Sequence, residues 1–520
     1  MANPAVEPGE TPVADSRTLT VGTDRTLHGF AIAALAILAL RVMGLMASPL
    51  GLHPDEAQYW SWSRTFDWGY FSKPPLVAWA IGATTAVFGD APWAVRLAAP
   101  LAHTGAAFAL FALARRMYGD AAAVAAGLGW LLIPGVWLSS ALISTDALLL
   151  PLWSLALLAT WRWTETRSMR WALLAGLAIG LGALAKYAML YFPLCLALAA
   201  IWSPRARPAL LSRQGLASLA VAAAIVTPNI AWNAANDFET VAHTAANAEW
   251  RGDLFNIDQL AAFLADQFAI AGLLAGGLVW LIVEFARGQR PLDERARFLL
   301  AFVAPPLAII IVQALISRAH GNWAASAYPA AIVLVAGRFA GGAFLRWTTR
   351  THAALFAVFL ALVTFPAIAY RTPVIGRGIE NGLKRMAGWK QTARLVAERA
   401  QAGDYTAVLV DHRHAFFELA YEWRDRKDLP PVRIWVLRAA PGNHAEATAP
   451  MTPAFDGDVL VVQMSPRYEH FLAADFARFT PLKHVEVALG PRKTRVLGIA
   501  EASGFKPAAR DDAFMNDVGD

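Results

Sequence analysis

The stretch His53-Pro54-Asp55-Glu56 comes directly after the first strongly apolar segment of the chain, and Tyr70-Phe71-Ser72-Lys73-Pro74-Pro75 follows it in the same loop. Two adjacent carboxylates and a lysine therefore lie next to a segment apolar enough to enter a bilayer. Charge is costly beside lipid, so charged side chains found there usually serve a function. A carboxylate is a candidate general base, and a lysine is a candidate phosphate ligand.

The composition of the whole chain is that of a membrane protein. Of its 520 residues, 57% are hydrophobic and only 16% are charged, and the mean hydropathy is +0.41. The net charge of +6 does not indicate nucleic-acid binding, because the basic residues fall in short clusters between apolar segments, as the positive-inside rule predicts. The single cysteine, Cys195, lies within an apolar run, so no intramolecular disulfide can form.

Apolar segments that could span a bilayer, which takes about 20 residues, recur as far as residue 370. We predict about eleven of them, near 28–49, 93–114, 120–142, 145–161, 171–186, 187–203, 216–233, 261–286, 298–316, 324–345 and 352–370. Arginines cluster on alternate loops, at Arg115, Arg116, Arg162, Arg167, Arg170, Arg205, Arg207, Arg213, Arg287, Arg290, Arg295, Arg297, Arg346 and Arg350. Loops rich in arginine stay in the cytoplasm. The pattern predicts a cytoplasmic N-terminus, a first loop over 50–92 on the outer face, and an outer C-terminal region.

The apolar segment 74–88 is too short to span, and counting it as a span would invert the later loops. We predict an interfacial helix there. Aromatic side chains around it would form a belt at the lipid headgroups, namely Tyr59, Trp60, Trp62, Trp68, Tyr70 and Trp79.

The chain changes character after residue 370, where charges become frequent. Alternating short patterns predict strands near 406–411, 432–437, 459–463, 484–488 and 494–499, and helices near 388–398, 414–423 and 468–476. The predicted fold class is a mainly α polytopic membrane protein with a small C-terminal α/β soluble domain. The predicted divisions are a disordered N-terminal tail over 1–26, a transmembrane domain over 27–370, the α/β domain over 371–503 and a flexible tail over 504–520.

The two acids of the first loop have two interpretations. If a helix begins at Pro54, Asp55 and Tyr59 share one face, while Glu56 and Trp60 share the adjacent face. The carboxylates would then point into a pocket. Alternatively, Asp55 only caps the helix and Glu56 only favours its first turn through the helix dipole.

Other polar residues fall on the same outer face. Asp146 is either a functional acid or part of a helix cap with Ser144 or Thr145. Lys73 is either a ligand of an anionic lipid phosphate or an interfacial lysine whose ammonium reaches the headgroups. The predicted topology gathers one set of polar groups there: Asp55, Lys73, Asp146, Lys186, Arg318 and His320. The grouping of these residues on one face predicts a functional site there.

Motifs for other chemistries are missing from the sequence. It has no Walker loop, no HExxH and no CxxC pair, and its eleven histidines show no zinc spacing, so ATP hydrolysis and zinc proteolysis have little support. The run Asp411-His412-Arg413-His414 follows a predicted strand, and we expect it to form a turn and a helix cap rather than a metal cluster.

Several of these motifs together resemble one known group of enzymes. They are the acidic pair in the first outer loop, Tyr70-Phe71-Ser72-Lys73-Pro74-Pro75-Leu76, Ser144-Thr145-Asp146, Gly321-Asn322-Trp323 and Gly388-Trp389. The chain resembles the bacterial GT-C glycosyltransferases of the protein mannosyltransferase and lipid A aminoarabinose transferase superfamily, most clearly over 50–190. The resemblance implies an inner-membrane enzyme that moves a sugar from a polyprenyl-phosphate carrier to a hydroxyl group of a lipid, glycan or protein on the periplasmic face.

The resemblance also implies roles for individual residues. Asp55 would be the general base or an acid that orients the acceptor, with Glu56 beside it and Asp146 as a second acidic group. Lys73 would bind the carrier phosphate, although many relatives have His before the two prolines. Tyr59, Lys186, Arg318 and His320 are further substrate-binding candidates by location. No nucleotide is needed, and a divalent ion at Asp55 and Asp146 remains an alternative to the cation of Lys73.

Two other functions fit a polytopic chain. A transporter or flippase of lipid-linked sugars would also need cations for phosphate, but it would place polar groups along a path between both faces. A receptor whose outer domain binds glycans would not need about eleven spans as an anchor.

Overall fold

The computed structural model describes residues 16–246, 255–373 and 375–519. The described residues up to Tyr370 are mostly helical. Their helices, numbered in chain order, are α1 Ser16–Ala47, α2 Pro54–Trp62, α3 Leu76–Phe88, α4 Pro92–Arg96, α5 Ala98–Tyr118, α6 Asp120–Leu132, α7 Pro134–Ala141, α8 Thr145–Thr166, α9 Met169–Ala185, α10 Tyr191–Trp202, α11 Ala206–Leu210, α12 Arg213–Ala235, α13 Glu239–Ala246, α14 Ile257–Ala271, α15 Leu273–Ala286, α16 Glu294–Ile316, α17 Tyr328–Phe339, α18 Ala343–Thr364 and α19 Pro366–Tyr370. Turns of 3-10 helix cover Tyr187–Leu190 and Gly321–Ala327.

Fewer of these helices could cross a membrane than the apolar segments suggest. Judged by length and composition, four described helices are long and apolar enough to cross a membrane: Arg25–Ala47, Pro92–Tyr118, Arg213–Ala235 and Glu294–Ile316. Two bent pairs raise the number to six, because α6 and α7 meet at 53° and α14 and α15 meet at 113°. Hydropathy counts apolar residues but does not register such breaks.

The sharper bend has a visible cause at Gly272. Its φ of +58° belongs to a conformation that side chains rarely adopt, and a Cβ there would collide with the imidazole of His352. The His352 Nε2 accepts a hydrogen bond of 3.1 Å from the Leu273 N–H. The break between α14 and α15 is therefore capped by a side chain rather than left open.

The C-terminal part is a small α/β unit, and all five predicted strands are present. The strands are β1 Tyr405–Val410, β2 Val432–Ile434, β3 Asp458–Gln463, β4 Phe476–Ala488 and β5 Thr494–Phe505, and the helices are α20 Gly376–Leu383, α21 Trp389–Ala400, α22 Arg413–Glu422, α23 His444–Thr448, α24 Glu469–Ala474 and α25 Asp512–Gly519. The sheet order is β2-β1-β3-β5-β4. β1 is parallel to β2 and β3, and β5 is antiparallel to β3 and β4.

Both predicted tails need adjustment. Residues 1–15 of the predicted N-terminal tail lie outside the described residues, and α1 already begins at Ser16. At the other end, β5 extends to Phe505 and α25 follows it. Arg510 forms an ion pair with the buried Asp475, and Phe514 packs edge-on against Phe471 with ring centroids 5.3 Å apart. This end is packed onto the domain rather than free.

The aromatic residues of the first loop do not form the predicted belt. Tyr59, Trp60, Trp62 and Tyr70 are all buried. Trp62 stacks on Tyr70 at 4.9 Å, and Trp60 packs edge-on against Tyr421 of α22 at 5.0 Å. The C-terminal domain covers these rings, so they do not face lipid. Trp68 is 39% exposed, and it packs against Trp79 at 5.1 Å.

A buried acid lies in α22, the helix that meets α2. Glu418 is fully buried, and neither of its carboxylate oxygens has a hydrogen-bond partner. Burial, and then the neighbouring Glu422, raise the pKa of Glu418 well above its usual range, against the smaller effects of Arg495 and Arg96. Burial in the folded protein therefore favours the protonated carboxyl of Glu418 over its carboxylate.

We expect Glu418→Gln to stabilise the protein more strongly as the pH rises from about 5 to 8. The folded state binds this proton more tightly than the unfolded state, so the parent is most stable below the ordinary glutamate pKa and loses stability above it. Glutamine does not titrate. Thermal midpoints measured across this pH range test the prediction, with the exposed Glu486→Gln as a control. Parallel curves for Glu418→Gln and the parent would refute it.

Candidate active site

The two acids of the first loop face different environments because α2 begins with a capping box. His53 is the N-cap, Pro54 occupies the first turn, and the Glu56 carboxylate accepts a hydrogen bond of 2.8 Å from the His53 N–H. The Asp55 side chain is 42% exposed, whereas that of Glu56 is 2% exposed. Glu56 thus stabilises the first turn of α2, whereas the N-cap is His53 and not Asp55, which faces outward.

Glu56 is held by a buried ion pair with Arg96. The Arg96 Nη2 lies 2.7 Å from Glu56 Oε2, and the two side chains are 3% and 2% exposed. The same Nη2 donates to the Gly51 carbonyl at 2.6 Å. Glu56 Oε1 accepts a further bond of 2.9 Å from the Ile143 N–H. One carboxylate therefore connects the first loop, α4 and the loop before α8.

Asp55 pairs with an arginine from the C-terminal domain. The Arg413 Nη2, at the start of α22, lies 3.1 Å from Asp55 Oδ1, and its Nη1 donates to Gln58 Oε1 at 2.7 Å. Partial burial opposes ionisation of Asp55, but Arg413 and then His53 outweigh it and hold the pKa of Asp55 below its usual value. Asp55 is therefore a carboxylate at neutral pH.

Asp146 pairs with Lys186 and does not cap α8. Ser144 caps α8 by accepting a bond of 3.3 Å from the Ala147 N–H. The two oxygens of Asp146 accept from Lys186 Nζ at 2.8 and 2.9 Å. Oδ2 also accepts from Asn322 Nδ2 at 2.7 Å. The start of α8, the end of α9 and the 3-10 segment over Gly321–Ala327 meet at this carboxylate.

Lys73 lines a cavity of about 410 Å³. A tight turn, in which the Lys73 N–H donates to the Tyr70 carbonyl at 3.3 Å, precedes its two prolines. Lys186 lines the same cavity, and Leu190 and Ile309 contribute apolar surface. No ion pair joins Lys73 to another described residue. Burial, and then the neighbouring Lys186, lower the pKa of Lys73, and Asp55 and Asp146 partly offset this.

Tyr59 lies within electrostatic reach of both acids. Burial, and then Asp55, raise the pKa of its phenol, and Asp146 adds to the effect. The Tyr59 ring packs against Trp62 with centroids 5.3 Å apart. Tyr59 is therefore a neutral group packed beside the site.

The structure brings Asp55, Tyr59, Lys73, Asp146 and Lys186 within electrostatic reach of one another. Arg318 and His320 lie in the loop before the 3-10 segment over Gly321–Ala327. Both side chains are exposed, and His320 packs edge-on against Trp323 at 5.1 Å. Asn322, in the 3-10 segment that follows, donates a hydrogen bond to Asp146. Sequence reasoning also missed Arg96 and Arg413 as site residues. Of these three residues, only Asn322 lies in a motif that the sequence analysis used, Gly321-Asn322-Trp323.

Asp55 and Asp146, the two acids suggested for a divalent ion, each have a cationic partner. Asp55 already faces Arg413 and Asp146 already faces Lys186. Within the described ranges, no group of three or more His, Cys, Asp or Glu side chains could hold a metal ion. The His412 ring instead caps α22, with its Nδ1 accepting from the His414 N–H at 3.1 Å, as expected from the sequence.

Comparisons with known proteins agree on one family. The family model described as dolichyl-phosphate-mannose-protein mannosyltransferase matches residues 72–232. The lipid A galacturonosyltransferase RgtD of Rhizobium johnstonii is 34% identical over 388 residues, which cover 74% of this chain and 80% of that protein. The undecaprenyl phosphate-alpha-4-amino-4-deoxy-L-arabinose arabinosyl transferase 2 of Pseudomonas fluorescens is 31% identical over 234 residues, 41% of this chain and 39% of that protein.

A solved structure shares the fold. The crystal structure of ArnT from Cupriavidus metallidurans bound to undecaprenyl phosphate matches with a TM-score of 0.61 at 17% identity, and the match covers 91% of this chain and 98% of that one. The mostly helical membrane part and the small C-terminal sheet domain therefore form one known architecture.

Proposed function

Since this chain belongs to the GT-C glycosyltransferase family, we propose that it transfers a monosaccharide from a polyprenyl-phosphate carrier to a hydroxyl group of lipid A or a related glycolipid. The names of the relatives support both substrates, because one acts on lipid A and another uses an undecaprenyl phosphate sugar. The observation that carries the proposal is the ionised Asp55 within electrostatic reach of Lys73, which lines a cavity with an apolar wall.

The cavity suits a lipid phosphate. Lys73 and Lys186 supply cations at one part of its wall, and the apolar side chains of Leu190 and Ile309 suit an isoprenoid chain. Lys186 is neutralised by Asp146, so Lys73 is the cation left for the carrier. A phosphate that binds there would restore the charge balance of the site.

The proposed reaction uses Asp55 as general base. The acceptor hydroxyl oxygen attacks the anomeric carbon and forms the new glycosidic bond, while the bond from that carbon to the carrier phosphate oxygen breaks. The hydroxyl proton passes to Asp55, and Lys73 stabilises the negative charge on the departing phosphate. Arg413 holds Asp55 in its ionised form before the reaction.

The remaining acids act by positioning. Asp146 orients Lys186 toward the cavity, and Asn322 fixes Asp146 in turn. Glu56 accepts hydrogen bonds from Arg96 and from the Ile143 N–H. These bonds fix the backbone of the turn that contains Asp55. We propose Asp55 as the catalytic residue and assign no catalytic step to Glu56.

We also propose an orientation in the bacterial inner membrane. The arginine-rich loops support a cytoplasmic N-terminus and a periplasmic C-terminal domain, with about eleven membrane segments if short and broken helices are counted. Reporter fusions in the loop 50–92 and after residue 371 test this arrangement. A cytoplasmic reporter signal from either place would refute it.

A direct assay tests the function. Purified protein in detergent receives a polyprenyl-phosphate sugar and lipid A, and mass spectrometry follows the glycolipid product. Sugar transfer is the expected result. Movement of the carrier across liposomes without transfer would instead favour the flippase, and absence of transfer with every donor sugar tried would refute the enzyme.

We expect Lys73→Met to lower kcat/KM for the carrier by about 10- to 100-fold, because a charged hydrogen bond to phosphate is lost. The loss should appear in KM for the donor, because the bound phosphate loses its cation, and in kcat, because the same cation stabilises the departing phosphate. Lys73→Arg should retain part of the activity. Lys427→Met, an exposed lysine in the C-terminal domain, is the matched control. An unchanged KM for the donor in Lys73→Met would contradict the assignment.

A further inference from the structure

A second cavity lies where the C-terminal domain meets the start of α2. Its volume is about 370 Å³. Its wall comes from the α20–α21 junction, the β4–β5 hairpin and the N-terminal ends of α2 and α22, and it includes Pro54, Lys384, Arg385, Trp389, His414 and Arg495. It shares no lining residue with the cavity at Lys73.

The lining of this second cavity carries three cations and no carboxylate. Lys384 and Arg385 are exposed and form no ion pair with a described residue. The nearby Glu380 is already engaged, because its carboxylate faces Arg492 at 3.5 Å and accepts from the Arg492 N–H at 2.8 Å. The positive charge of the cavity is therefore not balanced within the described part of the chain.

Arg495 makes the cavity a built site rather than a surface patch. Its side chain is 8% exposed and is fixed by bonds of 2.9 Å to Thr392 Oγ1 and 3.0 Å to the Ala387 carbonyl. Its guanidinium lies 3.6 Å above the ring of Trp389. Burial lowers the pKa of Arg495 to about 10, which reflects a desolvated cation that an anion would stabilise.

The cavity adjoins the catalytic carboxylate. Pro54, which lines it, precedes Asp55 directly, and the charge of Arg385 is close enough to lower the pKa of His53. A ligand anchored among these cations could therefore extend a hydroxyl group toward Asp55. The donor phosphate has its own cation at Lys73, in the separate cavity.

We propose that this second cavity binds a phosphate or carboxylate group on the headgroup of the acceptor lipid and thereby orients the attacking hydroxyl toward Asp55. The inference rests on the proposed function, since it assigns the acceptor side of the same reaction. The exposed side chains of Lys384 and Arg385 can adjust their positions to the anion, whereas the buried guanidinium of Arg495 is held in place by its hydrogen bonds. An acceptor without an anionic group would lose this anchor.

Binding can be measured without any sugar transfer. The full chain is labelled with 5-fluorotryptophan, and the fluorine signal of Trp389 is assigned among the 20 tryptophans by its loss in Trp389→Phe. Phosphorylated lipid A, its dephosphorylated form and inorganic phosphate are then titrated separately. We expect a saturable shift with the phosphorylated lipid only, weakened about tenfold or more in Lys384→Ser/Arg385→Ser.

The control is a double variant with the same change in charge, Lys427→Ser/Arg438→Ser, whose two exposed residues lie outside the cavity. It should bind like the parent. An equal shift with inorganic phosphate at the same concentration would overturn the lipid assignment. Equal binding of both lipids, or undiminished binding by Lys384→Ser/Arg385→Ser, would overturn the anion site.

Kinetics separate this inference from the function itself. In the transfer assay, Lys384→Ser/Arg385→Ser should raise KM for phosphorylated lipid A about tenfold and leave KM for the carrier unchanged. If no sugar is transferred while the fluorine shift persists, the proposed function fails and the anion site stands. If transfer proceeds with an unchanged acceptor KM, the anion site fails and the function stands.

Discussion

Asp55→Asn is expected to reduce the turnover of sugar transfer by about 10²- to 10⁴-fold, the usual contribution of a general base. Asparagine has nearly the same shape, and its carbonyl oxygen can still accept a hydrogen bond from Arg413, so α2 should keep its place. It cannot take the proton of the acceptor hydroxyl. The effect should therefore appear in kcat, while KM for the carrier, which depends on Lys73, changes little.

A matched control exists in the same loop. Asp67 is partly buried, and its carboxylate accepts from the Trp68 N–H at 2.7 Å, a bond that asparagine can replace. Asp67→Asn should transfer sugar at the parent rate. Comparable turnover in Asp55→Asn and the parent would exclude Asp55 as the base.

The pH dependence gives a second test of the same residue. Because Arg413 and then His53 lower the pKa of Asp55, the base stays ionised to a lower pH than an ordinary aspartate does. On the acid side of neutrality, the rate should thus fall at a lower pH than a base with the ordinary aspartate pKa would give. Arg413→Gln should move that fall to higher pH, because the nearby cation no longer favours the ionised carboxylate.

Arg96→Met should be the most destabilising single substitution near the site, at a cost of about 3–5 kcal/mol. The change leaves the Glu56 carboxylate buried without its cation. It also removes the bond to the Gly51 carbonyl. The single buried cysteine, Cys195, provides the measurement, because its reaction with a thiol-specific dye during heating reports unfolding.

Two comparisons isolate the buried charge as the cause. Glu56→Gln combined with Arg96→Met removes both charges and should recover much of the lost stability, as a double-mutant cycle would reveal. Arg394→Ala breaks an exposed pair with Glu398, whose side chains are 65% and 55% exposed, and should cost less than about 1 kcal/mol. Equal midpoints for Arg96→Met and Arg394→Ala would refute the explanation.

Local patterns predicted the C-terminal sheet well. All five strands and the long helices after Gly388 and His412 are present, because alternation and amphipathic spacing act within one element. The number of membrane-spanning helices stays a prediction, and hydropathy alone did not show the breaks at Pro134 and Gly272 within two of the apolar segments. The buried position of Trp60 and Trp62 could not be predicted, because it depends on α22, which is far away in the chain.

The sequence by itself determined that this chain is a membrane protein with a C-terminal α/β unit, and it singled out Asp55, Lys73, Asp146 and Lys186 as candidate site residues. Hydropathy, strand alternation and motif spacing are local properties, so they can be read directly. Only the tertiary structure decided how the charges pair. Arg413 reaches Asp55 across 358 positions and Arg96 reaches Glu56 across 40 positions. Such pairing depends on how distant elements pack, and no local pattern encodes it.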